Sequence, residues 1–257
     1  MYPFLFEIGP IAIPSFGVLM MIGFLGSMLL LRRELIRKEM DGALAESLAV
    51  AAMIGGLAGA KIYFIIEAWS YVWNDPYTYV LTGAGFTFFG GFIGGFMGVL
   101  MVTRMRHLPF LPVLDAIGLT LPIGYGIGRI GCQLAGDGDY GSPTDLPWGM
   151  AYPNGLVPTL ERVHPAPVYE TLYSALTLWV LLKLRLRLQK PGQLFCVYLI
   201  MIGFGRFLVE FVRINPAVLF GLSDAQVISI LMMLTGGFCL RVMHRKPLAV
   251  SNETTHL

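Results

Sequence analysis

Apolar residues run through this chain in long blocks, and charged residues gather in the short stretches between them. A membrane-crossing helix needs about 20 mostly apolar residues, since each adds only about 1.5 Å along the axis. Seven segments reach that length: 11–31, 45–67, 85–103, 112–133, 165–186, 192–213 and 223–241. The pattern predicts an all-α polytopic membrane protein with seven transmembrane helices. A single membrane domain is expected over 1–247, with a disordered cytoplasmic tail at 248–257. The interruption at 134–163 is polar and rich in Gly and Pro, and reads as an arm between the fourth and fifth helices.

Charge orients this arrangement. Arg32, Arg33, Arg37 and Lys38 follow the first segment, and Arg104 and Arg106 the third. Lys183, Arg185, Arg187 and Lys190 follow the fifth, and Arg241, Arg245 and Lys246 the last. In a seven-span alternation these all fall on one side, while the opposite loops carry only Arg162. Basic loops stay in the cytoplasm, so the N-terminus is expected outside, the C-terminus inside, and the arm at 134–163 in the periplasm.

Composition agrees. A chain of 257 residues that is 56% hydrophobic and 13% charged has more apolar surface than a soluble interior of its size would hide. The net charge of +2 suggests no nucleic-acid partner. Cys132, Cys196 and Cys239 are scattered among apolar neighbours without a C-x-x-C pair, which argues against a disulfide framework or a zinc site. Residues 1–10 hold no Lys or Arg and lead into a full-length apolar run, as in a retained helix rather than a cleaved leader. Glycine-rich runs at 55–60 and 90–95 read as close helix contacts in lipid. Beside Arg129, the absence of side chains at Gly128 and Gly131 also leaves room for a ligand head group.

Six ionisable residues in or beside these segments are the least easily assigned to loops or cytoplasmic ends: Lys61, Arg129, Glu170, Arg206, Glu210 and Arg213. At helical rise, Lys61, Arg129, Glu170, Arg206 and Glu210 sit within roughly 5–10 Å of the outer boundary. Placing an arginine in a membrane helix costs roughly 2.5–3.5 kcal/mol on insertion scales, so such residues mark functional sites or pairing partners. Arg206, Glu210 and Arg213 follow an i, i+4, i+7 spacing that predicts one helix face. Glu210 can pair with either arginine, and adding Arg129 predicts a net-positive pocket. The guanidinium fork suits phosphate, so an anionic phospholipid is the expected ligand; the alternative is an interhelical ion-pair cluster that locks the bundle.

Other polar residues divide between structural and chemical readings. His164, in His-Pro-Ala-Pro, reads as a helix entry or as a catalyst. Asp115 reads as the N-cap of its own helix, and Trp148 and Tyr152 as interfacial anchors. Asp137 and Asp139 lack the rest of an oxygen-ligand loop, so no metal is expected.

Several motifs together resemble a known family. They are Gly128-Arg129-Ile130-Gly131, the turn through Gly141, Pro143-Thr144-Asp145-Leu146-Pro147-Trp148-Gly149 with Tyr152-Pro153, His164-Pro165 with Tyr169-Glu170, Gly205-Arg206 through Arg213, and Ile8-Gly9-Pro10. In order and spacing they resemble the prolipoprotein diacylglyceryl transferases over nearly the whole chain. The resemblance implies a multi-pass enzyme of the bacterial inner membrane. It would transfer a diacylglyceryl group from phosphatidylglycerol to the lipobox cysteine of a preprolipoprotein, forming a thioether and releasing glycerol phosphate. No cofactor is implied; the partners are phosphatidylglycerol, the signal peptide and membrane lipid, and a monomer is the expectation. By resemblance, Arg129, Arg206, Glu210 and His164 are the catalytic candidates. Gly128, Cys132, Asp137, Gly141, Tyr169, Glu170, Arg213, Phe16, Phe89 and Lys61 are the candidates for binding substrate.

The chain departs from the family at three of these positions. Phe16 stands where the family commonly has Tyr, Phe89 where it has His, and Cys132 where it has Asn. Phenylalanine accepts no proton, so the thiol must be activated elsewhere (by His164, Glu210 or Asp137) or by a positive site alone, unless this homologue is impaired. Reading it as a subfamily variant, we expect Cys132 to pack rather than react. Two other classes compete: a non-catalytic lipid-binding protein or small transporter, and a retinal protein. The charges gather at one level instead of along a path, which disfavours transport. The last segment, 223–241, holds no lysine for a Schiff base.

Overall fold

A computed structural model of the chain describes residues 1–9, 11–74, 77 and 87–245. The side chains of Glu7, Ile8, Ile11, Ser70, Tyr71, Asn74, Phe88 and Phe89 lie outside the description, as does the expected tail at 248–257. In chain order the elements are β1 (Phe4–Ile8), β2 (Ile11–Pro14), α1 (Ser15–Arg37), α2 (Leu44–Glu67), α3 (Trp69–Asn74), α4 (Phe88–Met105) and α5 (Phe110–Ala135), then β3 (Met150–Tyr152), β4 (Thr159–Val163), α6 (Ala166–Leu184), α7 (Gln193–Glu210) and α8 (Asp224–Arg245).

Each of the seven apolar segments forms a helix. Among the described residues, α1, α2, α5, α7 and α8 are long and apolar enough to cross a membrane. The apolar part of α4 is the shorter Gly90–Met105. Helix α6 falls outside the set because its first turns carry Tyr169, Glu170, Thr171, Tyr173 and Ser174. The protein is thus mostly helical and built for a membrane.

Two expected helix ends need correction. Residues 11–14 are a strand paired antiparallel with β1, and α1 starts only after Pro14. There Ser15 donates from both its amide (2.9 Å) and its hydroxyl (3.1 Å) to the Pro3 carbonyl. The sixth expected helix stops at Glu210, three residues before Arg213.

The chain forms two compact units, one of residues 28–113 and one of residues 1–27 with 114–257. In the first unit, α2 and α4 pack backbone against backbone. A methyl group on Gly59 would sit 2.8 Å from Gly94 Cα, and one on Gly98 would sit 2.9 Å from the Ala51 carbonyl carbon. Only glycine permits that approach, as the small-residue runs predict.

In the second unit, α5, α6, α7 and α8 are tied by polar bonds as well as by close packing. Ser174 on α6 donates to the Pro122 carbonyl of α5 at 2.6 Å, and Tyr173 donates to the Met201 carbonyl of α7 at 2.7 Å. Gly203 of α7 leaves room for the Ser229 carbonyl of α8, which a methyl would meet at 2.8 Å. Asp115 does not cap its own helix, which begins five residues earlier. Its carboxylate accepts the amides of Gly192 (2.8 Å) and Phe195 (2.9 Å), capping the start of α7 from a neighbouring helix.

The arm is a folded structure. Strands β3 and β4 pair antiparallel, and the Tyr140 and Tyr152 rings stack with centroids 5.0 Å apart. The Gly141–Ser142 segment is stitched to both sides: the Gly141 amide to the His164 carbonyl (2.8 Å), and the Ser142 amide to the Val212 carbonyl (2.7 Å). A side chain on Gly141 would meet His164 Cβ at 2.9 Å, which explains the glycine by packing.

Candidate functional site

The ends of three helices meet in a cluster of charge. Arg129 sits near the C-terminus of α5, Glu170 in the first turns of α6, and Arg206 and Glu210 in the last turns of α7. Glu170 joins them. Its Oε1 accepts from Arg206 Nη1 at 2.5 Å and from the Tyr125 hydroxyl at 2.8 Å, and its Oε2 lies 2.9 Å from Arg129 Nε. Tyr125, one helical turn before Arg129, also lies under the guanidinium, with Arg129 Cζ 5.1 Å from the ring centroid.

Glu210 anchors the α7 side. Its Oε2 is 2.8 Å from Arg206 Nη2 and 3.9 Å from Arg213 Nε. Its Oε1 accepts from Asn215 Nδ2 (2.6 Å) and the Ser223 hydroxyl (2.7 Å). Because α7 has ended, Arg213 is placed by the arm: it bridges to Gly141, and it holds Asp139. Arg213 Nη2 bonds Asp139 Oδ1 at 2.8 Å, and Nη1 bonds the Asp139 carbonyl at 3.0 Å. The other oxygen, Asp139 Oδ2, pairs with Arg129 Nη1.

Three guanidiniums therefore face the three carboxylates that bond them, with the Asp137 carboxylate within 4.8 Å of that of Asp139, so the expected net-positive pocket is corrected to one without net positive charge. Lone buried charges are too costly to keep, so each arginine here has its acid. Burial raises the Asp139 pKa, but the hydrogen bond from Arg213 and the charges of Arg129 and Arg213 outweigh it and hold this carboxyl below its ordinary range. Asp139 and Tyr125 are participants that the sequence reading missed. The i, i+4 spacing of Tyr125 to Arg129 was a usable signal; nothing local marks Asp139 as an arginine partner.

The other candidates are distributed as follows. Cys132 lies one turn beyond Arg129, with Sγ 3.9 Å from Arg129 Nη1. Ligand-type atoms of Cys132, Asp137 and Asp139 lie within 4.8 Å of one another. Phe16 packs on α5 at Gly131, whose Cβ position would be 3.0 Å from Phe16 Cδ2, and Gly128 packs against Met20 Sδ, 3.1 Å from its Cβ position. His164 forms a separate group: its Nδ1 is 3.2 Å from the Tyr169 hydroxyl, which accepts from Trp148 Nε1 at 2.8 Å. Lys61 is on α2, in the other compact unit, and Phe89 is in the first turn of α4 with its side chain outside the described part.

Comparison with known proteins agrees with this picture. Residues 3–242 match the family model described as prolipoprotein diacylglyceryl transferase. The chain belongs to the prolipoprotein diacylglyceryl transferase family. A phosphatidylglycerol–prolipoprotein diacylglyceryl transferase of Clostridium tetani is 31% identical over 244 residues, covering 94% of this chain and 98% of that protein. One from Pseudomonas putida is 31% identical over 260 residues, with 96% of each chain covered. One from Leptospira interrogans is 30% identical over 280 residues, with 87% of each covered. Family membership selects the transferase over the lipid-binding and transporter alternatives. For a prolipoprotein diacylglyceryl transferase, the arginine cluster is the notable part of the molecule, since guanidiniums suit a phosphate ester.

Proposed function

We propose that this protein transfers the diacylglyceryl group of phosphatidylglycerol to the lipobox cysteine of a prolipoprotein, and that the transfer takes place at the Arg129–Arg206–Arg213 cluster. Family membership carries the reaction. The observation that supports its location is the convergence of three guanidiniums from α5, α7 and the segment after α7.

The chemistry requires a sulfur–carbon bond to form as a carbon–oxygen bond breaks. The cysteine sulfur attacks the glyceryl carbon that bears the phosphate, and the electron pair of the broken bond leaves on the phosphate oxygen of glycerol phosphate. Arg129 and Arg213 hold the free oxygens of the phosphodiester, and Arg129 and Arg206 stabilise the charge growing on the leaving oxygen. Glu210 orients Arg206, and Tyr125 and Glu170 set the depth of both arginines. The thiol proton must pass to a base. Glu210 is poorly suited, since its oxygens are occupied by Asn215, Ser223 and two arginines. Asp137, close to the cluster, and His164, beside Tyr169, remain for that role.

We place the site in the outer half of the bacterial inner membrane, with seven spans, the N-terminus outside, the C-terminus in the cytoplasm and residues 1–247 forming one membrane domain. The sidedness of Lys and Arg supports this topology. The partners are then phosphatidylglycerol and the preprolipoprotein signal peptide, acting on a monomer.

The test is transfer by purified protein in nanodiscs containing phosphatidylglycerol and a lipobox peptide, read as a mass increase on the peptide. Arg129→Ala and Arg206→Ala are expected to lower kcat/KM by about 100-fold or more. Wild-type transfer by both variants would show that the chemistry lies elsewhere.

A further inference from the structure

The cluster poses a problem for the reaction just assigned to it. A phosphodiester is an anion, and three arginines already paired with three carboxylates, with Asp137 beside them, offer it little net attraction. Substrate binds well only if one resident anion gives way. The three carboxylates are unequal in this respect. The side chains of Glu170 and Glu210 are 2% and 1% exposed. Tyr125 holds the first, and Asn215 and Ser223 hold the second. The Asp139 side chain is 33% exposed, and among the described residues only Arg129 and Arg213 bond its carboxylate oxygens.

Its backbone is also suited to the movement. Asp139 follows Gly136 and Gly138, at φ +61° and +94°, in a tight turn outside the helices. Its carbonyl is held by Arg213 Nη1, and the next residues, Gly141 and Ser142, are fixed by the His164 and Val212 carbonyls. The turn is tethered on both sides, by the Val157 amide on the Gly136 carbonyl (2.8 Å) and by the bonds at 141–142, which leaves residues 137–140 to shift as the carboxylate rotates toward solvent. The two oxygens of Asp139 bridge guanidiniums from α5 and the post-α7 segment as the two free oxygens of a phosphodiester would.

We infer that Asp139 is a positioning residue that occupies the phosphate seat between Arg129 and Arg213 when the site is empty and gives it up to the phosphate group of the lipid. This rests on the proposed assignment of the cluster to phosphatidylglycerol. By keeping the guanidiniums splayed and paired, Asp139 preserves the seat between turnovers. By competing for it, Asp139 weakens the hold on the leaving glycerol phosphate.

Asp139→Asn tests the inference, because the amide keeps the shape and loses the competing charge. In nanodiscs with phosphatidylglycerol and a lipobox peptide, its KM for the lipid is expected to fall about three- to tenfold, and inhibition by added glycerol phosphate to tighten by a similar factor. kcat is expected to fall as product leaves more slowly. Asp139→Glu, which retains the anion, is expected to restore wild-type KM and product inhibition. A purely structural Asp139 would raise KM or leave it unchanged, with product inhibition no tighter, and either result overturns the proposal.

If Asp139→Asn does not fold, hydrogen exchange on the wild type decides. Nanodiscs with phosphatidylglycerol, compared with zwitterionic lipid alone, should speed exchange at residues 137–140 and leave 141–142 unchanged; equal or slower exchange at 137–140 overturns it. Wild-type transfer by Arg129→Ala and Arg206→Ala would instead overturn the assignment of the cluster itself, whatever Asp139 does.

Discussion

Two sets of helices in this molecule are held together by opposite means. Helices α2 and α4 meet through missing side chains, with Gly55 and Gly59 set against Gly90, Gly94 and Gly98 so closely that a methyl group would collide with backbone. Helices α5, α6 and α7 meet at one end through charged side chains, two arginines and the glutamates that pair with them. The first contact is dispersion between backbones that lipid cannot replace. The second pairs charges whose partners cannot be removed one at a time without leaving an expensive remainder. A packing contact of the first kind tolerates no added volume. A cluster of the second kind tolerates no subtracted charge, and it alone has chemistry to offer.

The contrast can be broken from either side. The largest effect is expected from Glu170→Gln, which keeps the volume and leaves Arg129 and Arg206 without their shared acid. A loss of about 3–5 kcal/mol in unfolding free energy is expected, together with loss of transfer, measured by denaturant unfolding in detergent and by peptide mass shift. Unchanged stability would mean that the cluster does not bind these helices together. Next, Gly94→Val is expected to cost about 1–3 kcal/mol through overpacking, read by thermal unfolding, with Gly94→Ala milder. If valine is tolerated as well as alanine, the backbone contact is looser than described.

Asp115→Ala is a smaller perturbation, removing a cap that lies far along α5 and α7 from the cluster. It is expected to cost about 0.5–2 kcal/mol with turnover per folded molecule unchanged, so a fall in kcat would show that the two helix ends are coupled. The smallest effect is acid sensitivity. The Asp139 carboxyl titrates below its ordinary range in the folded protein, so its contribution to stability is complete above that range and fades as pH falls through the lower folded value. Asp139→Asn should flatten this part of the stability–pH curve, and a curve unaltered by the substitution would mean that the arginines hold the turn without that charge.

Much of this architecture was legible along the chain, because a membrane imposes its length requirement on consecutive residues. Each of the seven apolar segments contains a helix among its described residues, and the glycine runs mark the α2–α4 contact. The local errors came where distant residues intervene. Residues 11–14 satisfy the apolar pattern but pair as a strand with β1, and Asp115 has the look of a cap but serves α7. Arg213 keeps helical spacing from Arg206 although the helix has already ended, because Gly141 and Asp139 take over its placement. His164 belongs to a group with Tyr169 and Trp148, which its sequence neighbours alone would not show.

Which stretches are apolar, where basic residues accumulate and which arginines lie among greasy neighbours were set by the order of amino acids, since hydropathy acts on consecutive residues. The charge state of the cluster was decided only by folding. Asp139 is ten residues from Arg129 and seventy-four from Arg213, and spacing along the chain does not say that one carboxylate will reach both. Electrostatic balance depends on distances through space, and only the packing of α5, α6, α7 and the arm determines them.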